Sequence, residues 1–261
     1  MKRRAWSENE IVSALALYYQ IPFGAIDEKN RAVIELAHSL DRTPGSIALK
    51  LANLASLDPT IIASGRRGMA NASQLDRRVF ANSSNDWPQL AAELPVAVLD
   101  AIDRRRSRNL SVDTISDRLS SESTVELTET TGTVVLRRGQ TFFRNATLAA
   151  YRERCCVTLL SVRELLRASH IIPWAADASS RLDPTNGLSL NALYDAAFDR
   201  GLMTIDENYR VVFARGLRDA VSNQAWDVWF GRHEGQAIEL PERLRPKNSA
   251  LLFHREHVFA D

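Results

Sequence analysis

The sequence predicts an α+β chain: a helical N-terminal unit with a helix-turn-helix-like layout, followed by a mixed C-terminal unit. Three observations carry that reading. Apolar residues recur at helical spacing through the first third, behind residues that suit helix caps. The segment Thr131–Leu136 is short and rich in β-formers. After residue 130 the charge pattern changes, with a basic stretch running into an acidic one.

Ser7, followed by Glu8 and Glu10, predicts the first helix, with Ile11, Leu15 and Tyr18 on its apolar face. A second helix is predicted over about Asn30–Leu40 from Val33, Leu36, Ala37 and Leu40. Thr43 and Pro44 suit the cap and first position of a third helix carrying Ile47, Leu51 and Leu54. Three short helices with a tight second turn are similar to a helix-turn-helix or Myb-like unit. In that reading the third helix is the DNA reader, with Ser46 and Lys50 on its polar face, and Arg66, Arg67, Arg77 and Arg78 available to phosphates. A further helix spans about Trp87–Arg106, interrupted early by Pro95, and the Ser- and Asp-rich residues 107–125 read as a connector. The expected organisation is a helical DNA-binding unit over 1–85, a helix and connector over 86–130, and a third unit over 131–261.

Composition excludes several classes. The 261 residues are 45% hydrophobic and 25% charged, which suits an ordinary globular chain with a sizeable core. The two cysteines, Cys155 and Cys156, are adjacent, which excludes a disulfide framework and a four-cysteine zinc site and suits a reducing cytoplasm. Buried packing is the expected role of both. No apolar run approaches the roughly 20 residues a membrane helix needs. The opening Met1–Trp6 has no apolar stretch after it and does not read as a secretory signal. Net charge is only +1, so distribution matters more than the sum. Thr131–His170 holds seven arginines against two glutamates, whereas Ile171–Arg210 holds six carboxylates against three arginines. Arginines beside carboxylates suit a metal-dependent nuclease, the first holding phosphates and the second a cation.

The chemistry concentrates in three fragments. They are Ala168-Ser169-His170-Ile171-Ile172-Pro173-Trp174, Asn186-Gly187-Leu188-Ser189-Leu190 and Phe198-Asp199-Arg200-Gly201-Leu202. In this order and spacing they resemble the HNH endonuclease family, whose catalytic unit is the ββα-metal fold. The resemblance covers roughly Gly139 to Asp206, with a looser upstream match at Gln140, Phe143 and Arg144. Helices ahead of such a unit are similar to the layout of bacterial restriction-type proteins of this family.

The resemblance implies phosphodiester hydrolysis with His170 as the general base. A neutral imidazole suits that task, because its ordinary pKa lies near working pH. Asn186 is implied as the residue that fixes the base's geometry. The family's third position, usually His, falls here at Tyr194 or Asp195, and Asp195 is the better metal ligand. Asp199 lies one turn further on the same helix face, and reads either as a second ligand or as a structural group beside Arg200. Ser169 stands where many relatives carry a ligand. Such a hard-oxygen site prefers Mg²⁺ or Mn²⁺ over Zn²⁺. Gln140 and Arg144, with Arg137 and Arg138 in the same basic stretch, are candidate DNA contacts, the alternative for Arg144 being a local carboxylate partner. Trp174 reads as a wall of the site. His254 and His257 read as part of an ordinary C-terminal tail, and His38 as structural.

The expected activity is restriction of foreign double-stranded DNA by a cytoplasmic, metal-dependent endonuclease. Cutting both strands needs two sites or two events, so a homodimer is expected. The alternatives are a non-catalytic DNA-binding regulator with a degenerate HNH unit, and a nuclease effector activated by a partner.

Overall fold

A computed structural model describes residues 4–66, 68–69, 71–104 and 131–260. The expected connector at 107–125 lies outside them.

Ser7 opens α1 (Glu8–Gln20) with a capping box, its side chain accepting from the backbone of Glu10 while Glu10 reaches back to it. Every residue from Ile11 to Gln20 is buried, so α1 is the axis of the N-terminal core. Around it lie α2 (Arg31–Ser39), capped by Asn30, and α3 (Pro44–Ala55), capped by Thr43 with Pro44 in the first turn. The apolar residues expected on these helices, among them Val33, Leu36, Ile47, Leu51 and Leu54, all reach the core. Short helices α4 (Pro59–Ala63) and α5 (Gln74–Ser83) follow. The helix expected over Trp87–Arg106 is two helices, α6 (Trp87–Glu93) and α7 (Val96–Arg104), broken where Leu94 takes an extended backbone before Pro95.

The β-prone reading of Thr131–Leu136 is corrected. These residues begin α8, which runs unbroken from Thr131 to Ala150. Tertiary packing overrides local propensity because α8 is shared between two cores. Phe142 and Ala146 join the N-terminal core, and Phe142 meets Trp87 at 6.1 Å. Leu148, Ala150 and Tyr151 join the C-terminal core. Buried Arg243 makes a second tie, its guanidinium 4.3 Å from the Tyr18 ring and donating to the carbonyl of Ile21.

The C-terminal unit is built on β1 (Leu166–His170) and β2 (Gly187–Asn191), paired antiparallel with His170 opposite Gly187 and Leu166 opposite Asn191. Leu166, Leu188 and Leu190 face the core. Asn191 then caps α9 (Ala192–Asp199), accepting from the backbone of Leu193 and Tyr194 at 3.0 Å each. After α9 the chain reverses through Gly201 at φ +70°, where a Cβ would meet the Val258 carbonyl at 2.1 Å. A second hairpin, β3 (Met203–Ile205) with β4 (Val211–Phe213), leads to α10 (Arg215–Ala220), α11 (Asn223–Trp229) and finally α12 (Asn248–His257). Two small antiparallel sheets among many helices give the expected mixed α+β architecture. No described helix is long and apolar enough to cross a membrane.

Candidate functional site

A cleft of about 630 Å³ opens between α8, β1 and α9. His170 stands in it at the end of β1. Its Nε2 lies 3.0 Å from the Arg181 carbonyl. A carbonyl can only accept, so Nε2 carries the proton and Nδ1 keeps its lone pair. The Phe143 ring stacks on the imidazole at 3.8 Å and 6°, and Trp174 meets it edge-on at 5.6 Å. Trp174 is therefore a wall of the site, as read from the sequence. Burial holds His170 below its ordinary pKa of 6.5, against smaller opposing contributions from the Arg181 carbonyl and Asp199.

Asn186 bears on His170 only at one remove. Its side chain accepts from Ile172 N–H at 2.8 Å and donates to the carbonyls of Ile172 at 3.1 Å and Ser180 at 3.4 Å. These bonds pin both ends of the loop between β1 and β2, and that loop presents the Arg181 carbonyl. The Arg181 contact was not foreseen. A backbone carbonyl leaves no trace in residue identity, so no sequence signal could have revealed it.

Asp195 and Asp199 enter the same cleft from one face of α9. Ser169, buried beneath them, donates its hydroxyl to Asp199 at 3.3 Å. Burial raises both carboxyls above the ordinary range, and Asp199 raises Asp195 further. Ser169 lowers both again, and the more distant Arg167 and Arg144 lower Asp195. Gln140 and Arg144 line the cleft from α8, with Arg144 donating to the Leu166 carbonyl at 3.1 Å. Arg167 joins them from β1, donating to the carbonyls of Glu164 and Leu166 at 3.0 Å each. Only its place in the basic stretch hinted at it.

The other expected DNA contacts fall elsewhere. Arg137 is exposed on α8 outside the cleft lining, and Arg138 donates to the Ala92 carbonyl at 3.0 Å. The expectation of Lys50 on an open polar face of α3 is corrected: it is buried and paired with Asp76 at 2.6 Å. Arg66 pairs with Glu242 and Arg78 with Glu8. Arg67 lies outside the described residues.

The His254 and His257 pair does not converge on a metal. His254 stacks on Phe198 at 3.7 Å, and its Nε2 donates to the Phe198 carbonyl at 3.2 Å. Its Nδ1 accepts from the Thr204 hydroxyl at 2.9 Å, and burial pushes its pKa down to about 4. It is a neutral strut between α12 and α9, as the tail reading implied. Cys155 and Cys156 are buried free thiols, as expected of packing residues.

Among the described residues no group of three or more His, Cys, Asp or Glu side chains is arranged to hold a metal ion. A divalent cation that takes one or two carboxylates and completes its shell with water fits what the cleft offers. The raised carboxyls of Asp195 and Asp199 fit that role, since a divalent cation would relieve their repulsion.

Residues 155–206 match the model of the HNH endonuclease family. The matched span runs from Cys155 through β1, β2 and α9 to the residue after β3, and so holds His170, Asn186, Asp195 and Asp199. A comparison with curated proteins finds no match for the chain.

Proposed function

We propose that the chain is a metal-dependent DNA endonuclease with His170 as its general base. The observation that carries this reading is the anchored imidazole: Nε2 is committed to the Arg181 carbonyl, which leaves Nδ1 as the proton acceptor in a cleft that two carboxylates also line. The HNH endonuclease match over residues 155–206 supports nuclease chemistry. In the reaction, His170 Nδ1 takes a proton from water as the water oxygen bonds to phosphorus. The bond from phosphorus to the 3′ oxygen breaks, and that oxygen leaves. Arg144 and Arg167 hold the phosphate oxygens, and Gln140 adds a neutral contact. Asp195 and Asp199 would hold the cation, with Ser169 orienting Asp199. When bound, Mg²⁺ or Mn²⁺ supplies positive charge to the phosphate and the departing oxygen.

The cellular role that goes with this chemistry is restriction of foreign DNA in the cytoplasm, by a protein acting as a homodimer. That role follows from the family resemblance, and the two buried thiols agree with a reducing compartment. The competing reading, a DNA-binding regulator, loses support from the burial of Lys50. The large exposed side chain on α3 is Leu49, which makes no phosphate contact.

Supercoiled plasmid incubated with the purified protein and Mg²⁺ or Mn²⁺ tests the proposal. Nicking is expected, with none in EDTA. His170→Ala is expected to lower the rate about 10²- to 10⁴-fold. The wild-type rate is expected to hold as pH falls to 6.5 and to drop below it, where the depressed imidazole takes up its proton. Equal nicking by wild type and His170→Ala would overturn the mechanism.

A further inference from the structure

Large apolar side chains stand exposed around a second groove, of about 680 Å³, on the C-terminal unit. Trp229 is 57% exposed and Leu159 51%, and Leu165, Leu193 and Val228 are each more than two-fifths exposed. Together they offer on the order of 450 Å² of apolar surface, in the range of the largest patch a monomer carries. The patch is held rigidly. The Tyr194 hydroxyl donates to the Trp229 carbonyl and fixes the end of α11. Leu159 sits at φ 60°, a costly backbone for a side chain that then faces solvent. Arg232 and His233 line one side of the groove.

We propose that this groove is the contact surface for a second copy of the chain. The size fits: with a polar rim, such an apolar centre approaches the roughly 800 Å² each partner contributes to a standard interface. The shape also fits. A two-fold contact must be self-complementary, and this patch carries both a hole and a projecting tryptophan. The position fits the proposed nuclease, on which the functional meaning rests. Leu165 lies two residues from Arg167, and Leu193 two residues from Asp195, yet the groove and the cleft share no lining residue. A copy docked here covers none of the residues that line the cleft.

Sedimentation velocity of the full chain, over roughly 1–200 µM, brackets the affinity expected of an interface this size. Wild type is expected to pass from monomer to dimer. Trp229→Ser and Leu165→Glu change exposed positions and are expected to keep the fold by circular dichroism while weakening self-association about 30-fold or more. A thiol at Leu165→Cys is expected to react with maleimide quickly in dilute protein and slowly in concentrated protein, the native cysteines being buried. Wild type that stays monomeric, or variants that dimerise as well as wild type, would overturn the proposal. So would a monomer whose new thiol is slow at every concentration, meaning that the chain covers its own groove. A monomer with a uniformly fast thiol would leave the groove to a different protein, and overturns it too. On plasmid, both surface variants are expected to retain nicking and lose linear product. Absence of nicking in every protein would sink the nuclease reading and leave the sedimentation result standing.

Discussion

Asp76 and Asp195 both occupy the first turn of a helix, where the helix dipole favours a negative charge. Asp76 also caps α5, accepting from Ser73 N–H at 2.8 Å, and takes the Lys50 ammonium at 2.6 Å. Asp195 has another carboxylate one turn away, and its pKa is raised rather than lowered. The same residue in the same local setting therefore does opposite work. In the N-terminal unit the charge is neutralised within the fold and holds α3 to α5. In the C-terminal unit the fold leaves negative charge over on α9, and that surplus is what a cation would answer.

The sharpest way to break this comparison is Lys50→Met, which strands Asp76 as a buried charge. Loss of one partner of such a pair costs about 3–5 kcal/mol, or roughly 10 °C in Tm for a chain this long. DNA affinity of the folded protein is expected to stay the same, with an unchanged salt slope. A normal Tm with weaker binding would restore Lys50 as a DNA contact.

Asp195→Asn is expected to act in the other direction, raising Tm at neutral pH by about 2 °C while abolishing metal-dependent cleavage. The pH dependence follows from the raised carboxyl. Below 3.8 the group is protonated in both states and makes no difference. As pH rises the unfolded chain ionises first, so wild type loses stability through the raised pKa and the variant does not. Melting curves of both proteins across this range give the test, and a variant less stable than wild type at neutral pH would contradict it.

The smallest effect is expected at Glu10, which Arg42, with smaller help from Ser7, holds at about 2. Its contribution is present above 4.5 and is lost as pH falls through about 2. Glu10→Gln should therefore cost roughly 1 kcal/mol or less at neutral pH, and nothing at the acid end. Denaturant titrations at two pH values measure the difference.

Legibility from sequence followed the range of the interactions. Ser7, Asn30 and Thr43 mark their helices because a cap acts within three residues. His170, Asp195 and Asp199 were implied by the resemblance of three fragments to a known family, and the structure brings them into one cleft. Thr131–Leu136 misled because β-formers sit in a helix whose register is set by partners far along the chain. Lys50 misled because its partner is 26 residues away and a polar helix face looks the same whether water or another helix covers it. Asn186 was expected to act on His170, and its route through the loop to the Arg181 carbonyl depends on backbone groups that side-chain identity does not reveal.

The neighbours Phe142 and Phe143 on α8 look in different directions, one to Trp87 in the N-terminal core and the other to the face of His170. This has a practical meaning for anyone cutting or grafting the protein. A fragment that starts after α8 loses the ring stacked on His170, and one that keeps α8 carries a sticky seam meant for another core. The two units share this helix and the buried Arg243 tie, so a transplantable C-terminal module must either include both cores or have its exposed seam redesigned.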